Sequence, residues 1–377
     1  MKRIIIVGGG FAGLAAAERL GGRAGLDVTL IDRKTTSDFL PLLPDVAAGR
    51  MDSTLITAPL PELAHRFGFR FVHGTVTGVE RSGRIVHLEN SDLIYDYLLV
   101  ASGTETNFYG NRQAQEQAFP LDSAQDAQRL QAAVQAGTHE NYVIAGGGYT
   151  GVEIATQLRV ALNALHRPGR VMIVERSNSV AKALPPWMRA VVHTNLARLN
   201  IECLESCELA AIGPTELSFS TGTTVSHALL VWAAGVRAAG FTDTLGLEHN
   251  PQGRLVATDT LQVDEHIFVA GDAALFQHKG VPLRMSIQFA LTQGACAAAN
   301  IARAAAGTPL VPYRPLDPGY VLPMANGLSC GLILGIPLQG RLPTLLHYVM
   351  CAYRSIGWQR KRGVLRGLGL RLFGRPI

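Results

Sequence analysis

Short runs of β-branched and aliphatic residues, each closed by glycine or an acid, recur along the chain. Ile4–Val7 leads into Gly8-x-Gly10-x-x-Gly13, and Tyr142–Ala145 leads into Gly146-x-Gly148-x-x-Gly151, 138 residues further on. Both runs read as buried parallel strands, and the alanine- and leucine-rich stretches after Gly13 and Gly151 read as helices. Val28–Ile31 ends in Asp32, and Val171–Val174 ends in Glu175. Three more strands are expected: Tyr97–Val100, closing on Ala101-Ser102-Gly103; Leu229–Ala233, closing on Ala234-Gly235; and Ile267–Ala270, closing on Gly271-Asp272. The alternation of strand and helix predicts an α/β chain with two Rossmann-like units.

Glycine is needed in such a strand-to-helix turn for three reasons: the backbone bends sharply, it must approach a pyrophosphate, and the helix packs closely on the strand. The helix N-terminus adds amide donors and a positive dipole. The acid about 20 residues on can accept a ribose hydroxyl. With 40 glycines in 377 residues a single match would be weak. Two matches, each with strand, helix and acid in place, predict two dinucleotide sites.

A hydrophobic content of 47% supports a large core in two or more domains. Cys203, Cys207, Cys296, Cys330 and Cys351 form no zinc pattern, and an odd number of cysteines suits a reducing compartment. Cys203 and Cys207 are expected to be core or strand residues. His65, His73, His87 and His139 are scattered, so no metal is assigned. Met1-Lys2-Arg3 and the apolar run after it look like a signal peptide, but cleavage would remove the first glycine motif, so no targeting segment is expected.

The net charge of +5 conceals an asymmetry. From Pro318 onward there is no acid, while Arg341, Arg354, Arg360, Lys361, Arg362, Arg366, Arg371 and Arg375 supply eight positive charges. Removing these eight from the 34 basic residues leaves 26 against 29 acidic ones. Interleaved apolar residues give the tail a membrane character rather than a nucleic-acid one: Leu345, Val349, Ala352 and Ile356 recur at helical spacing, as do Leu365, Leu368 and Leu372, with Leu370, Phe373, Tyr353 and Trp358 among them. No apolar run reaches about 18 residues, which predicts a helix lying at an anionic interface rather than one crossing it. The alternative is a helix docked on the chain's own body or on a second copy.

The second unit reads as inserted in the first. Residues 1–118 begin the first nucleotide domain, 119–250 form the second, 251–314 return to the first, and 315–377 form the basic amphipathic tail. A strand ending in Gly271-Asp272 suits a flavin, because a carboxylate there can meet ribitol hydroxyls while the backbone lies close to phosphate.

Gly8–Leu14, Phe39–Gly49, Tyr95–Gly103, Gly146–Glu153, Val231–Gly235 and Phe268–Asp272 resemble the corresponding segments of two-dinucleotide-domain flavoproteins, and most of all the type II NADH:quinone oxidoreductases. The similarity runs in order from residue 1 to about residue 305. It implies FAD held by Gly8, Gly10, Phe11, Ala12, Gly13, Asp32, Arg33, Leu42, Leu43, Ala101, Ser102, Gly103, Gly271, Asp272, Phe289 and Ala290. It implies NADH held by Gly146, Gly148, Tyr149, Thr150, Gly151, Glu153, Glu175, Ala234 and Gly235. Glu175 disfavours a 2′-phosphate by charge, whereas Arg176 leaves NADPH open. Ile287–Gly294 resembles the family's quinone-site pattern, matching at Gln288, Ala290, Gln293 and Gly294, with Thr292 in place of a glutamine and Ile287 in place of an alanine.

The resemblance thus implies a peripheral enzyme on the cytoplasmic face of the inner or plasma membrane, without proton pumping. NADH passes a hydride to flavin N5, and two electrons go on to a quinone beside Gln288, Thr292 and Gln293. Glu153, near the nicotinamide in the family, orients the carboxamide or helps protonate reduced quinone; with Gln288 and Gln293 it makes up the expected catalytic set. A homodimer is compatible with the sequence, and no nucleic-acid partner is expected. Ser37–Gly49 contains no cysteine, which excludes a disulfide reductase of this superfamily. A sulfide:quinone reductase would need two cysteines at the flavin, and Cys330 supplies at most one. Other readings are a soluble reductase with a protein acceptor, and a non-catalytic redox sensor.

Overall fold

A computed structural model describes residues 1–373. Arg375 lies outside them, as do the side chains of Leu370, Arg371, Leu372 and Phe373. In chain order the elements used below begin with β1 (Lys2–Val7), α1 (Phe11–Leu20), β2 (Leu26–Asp32), α2 (Leu43–Ala47), β3 (Arg70–His73) and β4 (Tyr97–Val100). There follow β5 (Asn141–Ala145), α3 (Tyr149–Ala164), β6 (Arg170–Glu175), β7 (Ile201–Glu205) and β8 (Ala228–Trp232). The chain continues through β9 (Gln262–Asp264), β10 (Ile267–Val269), α4 (Ile287–Ala305), β11 (Gly319–Leu322), β12 (Ser329–Ile333) and β13 (Ile336–Gly340). Two helices complete the described residues, α5 (Arg341–Arg354) and α6 (Trp358–Phe373).

The first unit comprises Met1–Ser37, Ala58–Glu105 and Val236–Asp317. Its sheet has the order β9-β10-β4-β1-β2-β3, parallel except for β9. Ile6 pairs with Leu30 on one side and with Leu99 on the other, and all three are fully buried. Ile5, Val7, Ile31, Leu98, Val100, Ile267 and Val269 form one core cluster. Burying a side chain of this size stabilises the fold by roughly 1.5–3 kcal/mol, so both faces of the sheet must be covered. α1 and α4 cover one face through small residues. A Cβ at Gly294 would lie 2.1 Å from the Ala12 carbonyl oxygen, so only glycine there lets the helices meet.

The second unit comprises Asp38–Thr57, Thr106–Gly235 and the described residues from Pro318 onward. Its parallel sheet has the order β7-β6-β5-β8. The expected strands are therefore present, each within a residue or two of its expected ends, and the second Rossmann unit is inserted in the first.

The compact units divide at 37/38, 57/58, 105/106, 235/236 and 317/318, where the sequence suggests 118/119, 250/251 and 314/315. Backbone and side-chain bonds account for the difference. Trp232 Nε1 donates to the Asn107 carbonyl at 2.8 Å, and Asn107 N donates to the Gly235 carbonyl at 3.0 Å, tying residues near 107 to the end of β8. Thr244 Oγ1 accepts Val79 N at 3.1 Å, and Phe241 and Leu245 enter the first unit's core. Asp38 Oδ2 accepts Ala124 N at 3.1 Å, holding the segment after Asp38 in the second unit.

The tail is more structured than an isolated interfacial helix. β11, β12 and β13 form an antiparallel sheet; α5 ends at Arg354, where Ser355 turns extended, and Gly357, with φ +87°, precedes α6. Each helix docks one face within the second unit, burying Tyr348, Cys351, Ala352, Val364 and Leu368. The opposite faces expose Leu345, Val349, Tyr353, Trp358 and Leu365. Among the described residues no helix is long and apolar enough to cross a membrane.

Candidate functional site

In the first unit β1 delivers Gly8 with φ +109°, and a Cβ there would lie 2.3 Å from the Ala101 carbonyl oxygen. A Cβ at Gly13 would lie 1.8 Å from the Gly8 carbonyl oxygen. Gly10, at the N-terminus of α1, has nothing within 4 Å of its Cβ position, and no side chain caps the helix. The turn is thus closed on the protein side and open where a pyrophosphate would meet the amides. Asp32 Oδ2 accepts Gly9 N at 2.6 Å, and Oδ1 accepts Lys34 N at 2.7 Å. A carboxylate offers about four lone-pair sites, so ribose hydroxyls can still bind. Ser102 Oγ, beside Gly8, is buried without a hydrogen-bond partner among the described residues. An orphaned hydroxyl at the turn fits a dinucleotide whose polar atoms complete it.

The second unit repeats this construction. Gly146 has φ +102°, with the Ala233 carbonyl oxygen 2.4 Å from its Cβ position. The Gly151 position lies 1.9 Å from the Gly146 carbonyl oxygen, and Gly148 is open. No side chain caps α3. Glu175 Oε2 accepts Gly147 N at 2.7 Å, and Oε1 accepts Ser177 N at 2.7 Å. Burial raises the Glu175 pKa, but the bonds from Ser177 and Gly147 outweigh it and hold the carboxyl below its ordinary value. Tyr149 and Thr150 stand exposed at the helix mouth. Tyr109, which no motif marks, donates its hydroxyl to the Ala234 carbonyl at 3.2 Å and lies over the Gly235 Cα.

The Gly271-Asp272 turn belongs to the first unit. Gly271 takes φ +74°, and Arg254 donates through Nε to the Asp272 carbonyl at 3.0 Å and through a terminal nitrogen to the Ala274 carbonyl at 2.6 Å. Burial pushes the Asp272 carboxyl up, with the Arg254 charge opposing. Phe11, Ala12, Phe289 and Ala290 lie in this unit; Ala12, Phe289 and Ala290 are buried. Arg33 pairs with Glu105 at 3.2 Å, an engagement the motif did not indicate. Leu42 and Leu43 are buried within the second unit.

The three residues expected at the quinone are not equivalent. Gln293 is 2% exposed, and its Oε1 accepts Gly271 N at 2.8 Å. Its amide oxygen thus holds the Gly271 turn. Thr292 donates its hydroxyl hydrogen to the Gln288 carbonyl in its own helix at 2.8 Å and shares a 2.7 Å hydrogen bond with Tyr313 OH. A threonine hydroxyl has one hydrogen, so Thr292 has none left to donate to a quinone. Gln288 remains half-buried near the start of α4.

Glu153 sits on α3 among apolar neighbours, and burial, assisted by the charge of Asp45, pushes its carboxyl well above the ordinary range. Asp45, fully buried on α2, accepts at Oδ1 from Gln157 Nε2 and from Tyr348 OH, each at 2.9 Å. The sequence held one signal of this partner, a single acid inside the apolar segment Phe39–Gly49. All five cysteines are free thiols. Burial pushes Cys203 and Cys330 up to about 11, so neither is an active nucleophile near neutral pH.

The sequence model of the pyridine nucleotide-disulphide oxidoreductase family matches residues 2–299. The chain is 30% identical to a type II NADH:quinone oxidoreductase of Haemophilus influenzae, with 94% of this chain and 92% of that protein aligned. It is 29% identical to the demethylphylloquinone reductase NdbB of Synechocystis, over 100% of this chain and 96% of that one. Among solved structures it is similar to NDH2 from Plasmodium falciparum in complex with NADH, at a TM-score of 0.86 and 16% identity, covering 100% and 99% of the two chains. At that identity the likeness is one of fold.

Proposed function

The chain belongs to the pyridine nucleotide-disulphide oxidoreductase family and, within it, to the type II NADH:quinone oxidoreductases; from that premise we infer an FAD-dependent enzyme that oxidises NADH and reduces a quinone. The observation that carries the reading is the duplicated site: an open, uncapped helix N-terminus beside an acid that accepts the amide of the residue between the first two motif glycines, Gly9 at Asp32 and Gly147 at Glu175.

Bound FAD would supply the two-electron chemistry between NADH and the quinone. The Gly8–Gly13 turn would hold its pyrophosphate, Asp32 its ribose, and the Gly271-Asp272 turn its ribitol side. Gly146–Gly151 and Glu175 hold NADH in the same way. The Glu175 carboxylate repels a 2′-phosphate, and Arg176, which could have attracted one, lies 3.9 Å from Glu208; NADH is therefore the preferred donor. Glu153, whose carboxyl burial and the Asp45 charge push well above its ordinary range, can give a proton when the acceptor takes up electrons. The resemblance of its motif assigns Gln288 to a quinone carbonyl, while Thr292 and Gln293 hold α4 and its turn in place.

Peripheral binding to an anionic membrane is supported by the exposed aromatic and aliphatic residues of α5 and α6, interleaved with Arg341, Lys361, Arg362 and Arg366. The cytoplasmic face is the side on which NADH is found.

The deciding experiment is an anaerobic titration of the purified protein with NADH, followed by a soluble short-chain quinone. Bleaching of a flavin band and its recovery on quinone are expected. Bleaching without recovery would leave NADH oxidation standing and overturn the quinone as acceptor.

A further inference from the structure

Beside α6, within the second unit, lies a groove of about 430 Å3. On one side runs the segment carrying Met51 and the helical turn Ser53–Leu55; on the other runs the face of α6 that bears Gly363 and Gly367. A Cβ at Gly363 would lie 2.4 Å from a Leu55 methyl, so glycine brings the helix onto this segment. At Gly367 the Cβ position lies 3.7 Å from Met51 Cε, which leaves the groove open there.

Arg362 and Arg366 flank these glycines. They stand one helical turn apart, on the same side of α6, and both are exposed. Among the described residues neither is held by a carboxylate. Arg50, anchored on the Gln157 side-chain oxygen and the Ala325 carbonyl, lines the same groove. The one carboxylate in the lining, Asp52, turns Oδ1 to Thr54 N at 2.8 Å and to Thr54 Oγ1 at 2.7 Å. Two exposed guanidinium groups beside the apolar side chains of Met51 and Leu55 call for a ligand that is anionic at one end and apolar at the other. An inorganic phosphate would satisfy the arginines and leave Met51 and Leu55 wet.

We propose that the groove binds the phosphodiester headgroup of one anionic phospholipid, with Arg362 and Arg366 donating to its phosphate oxygens and the adjoining glycerol and methylenes lying on Met51 and Leu55. The proposal rests on the membrane association inferred above only for the source of the ligand. It turns part of the basic tail from a diffuse charge into a stoichiometric site.

Native mass spectrometry of the full-length, FAD-loaded protein mixed with phosphatidylglycerol in detergent tests it. A single-lipid adduct is expected with phosphatidylglycerol and not with phosphatidylcholine. R362Q/R366Q should weaken the adduct about tenfold or more. Gly367→Leu, which changes no charge and fills the groove, should abolish it. R341Q/K361Q, which removes the same charge elsewhere, should retain it. Equal binding of phosphatidylcholine, an adduct surviving Gly367→Leu, equal loss in R341Q/K361Q, or inorganic phosphate displacing the lipid at equal concentration would each overturn the site. Sedimentation with phosphatidylglycerol vesicles separates the two readings. Sedimentation without a stoichiometric adduct would sink the groove and leave membrane association standing, whereas an adduct without sedimentation would do the reverse.

Discussion

Gln293 on α4 accepts the backbone N–H of Gly271 at 2.8 Å, and both residues are buried. A glutamine from the motif similar to a quinone site thus secures the turn expected to hold the flavin. Gln293→Leu would leave that amide unpaired, at a cost of about 1–3 kcal/mol. The expected outcome is a lower melting temperature and weaker FAD retention on gel filtration, with the quinone KM of the loaded fraction unchanged. A raised quinone KM with tight FAD would place Gln293 at the acceptor instead.

Gly13→Val and Gly151→Val separate the two nucleotide sites. Each side chain would meet a carbonyl oxygen less than 2 Å away. Gly13→Val should yield a colourless protein. Gly151→Val should remain yellow and fail to bleach with NADH. A yellow Gly13→Val protein would overturn the assignment of FAD to the first turn.

Glu175→Ala removes the acceptor of Gly147 N and Ser177 N together with the proposed ribose partner. The NADH KM should rise about 5- to 30-fold, the equivalent of roughly 1–2 kcal/mol, with flavin content unchanged. Steady-state kinetics checks the first expectation and absorbance ratios the second.

The Glu153 carboxyl has a folded-state pKa well above its ordinary value of 4.5, through burial and the charge of Asp45. The folded protein therefore binds a proton that the unfolded chain has released. Stability carries no penalty from this group below about pH 4.5 and declines as pH rises from there towards the folded pKa. Glu153→Gln removes the titration. The variant should melt with the wild type near pH 4.5 and above it near pH 8, while quinone reduction slows because the proton donor is gone. Identical melting curves across this range would contradict a buried, protonated Glu153.

Cys330 titrates at about 11, so only about 0.1% is thiolate near pH 8. Cys330→Ser, and treatment with iodoacetamide at that pH, should each leave NADH:quinone turnover within about twofold of the untreated enzyme. Loss of turnover in both would point to thiol chemistry of the sulfide-oxidising kind.

Both glycine turns were legible in the sequence because their signals are local. A strand, three glycines at fixed spacing and an acid after the next strand lie within a span of about 30 residues. The steric demand that selects glycine arises inside that span: the Gly13 and Gly151 Cβ positions meet the carbonyls of Gly8 and Gly146. The stripes read in the tail were less legible: Leu345 and Val349 are exposed while Ala352 is buried, and Leu365 is exposed while Leu368 is buried, because the side on which each helix docks is set by its packing partners.

What the sequence read less well depends on residues far apart in the chain. Gln288, Thr292 and Gln293 occupy one short motif. Whether each amide or hydroxyl is spent inside the protein depends on Gly271 and Tyr313, which sit on other segments. Asp45 and Glu153 stand 108 positions apart in sequence, and their coupling exists only because α2 and α3 pack within one unit. The unit boundaries likewise follow from Trp232 and Asp38 reaching segments distant in sequence. By itself, then, the sequence determined the paired Rossmann units and their glycine turns, since each arises from steric and hydrophobic patterns within a few turns of chain. Only the tertiary structure decided which polar groups are already satisfied, which carboxyl keeps its proton and which arginines share a groove, because hydrogen bonding, desolvation and charge act through space.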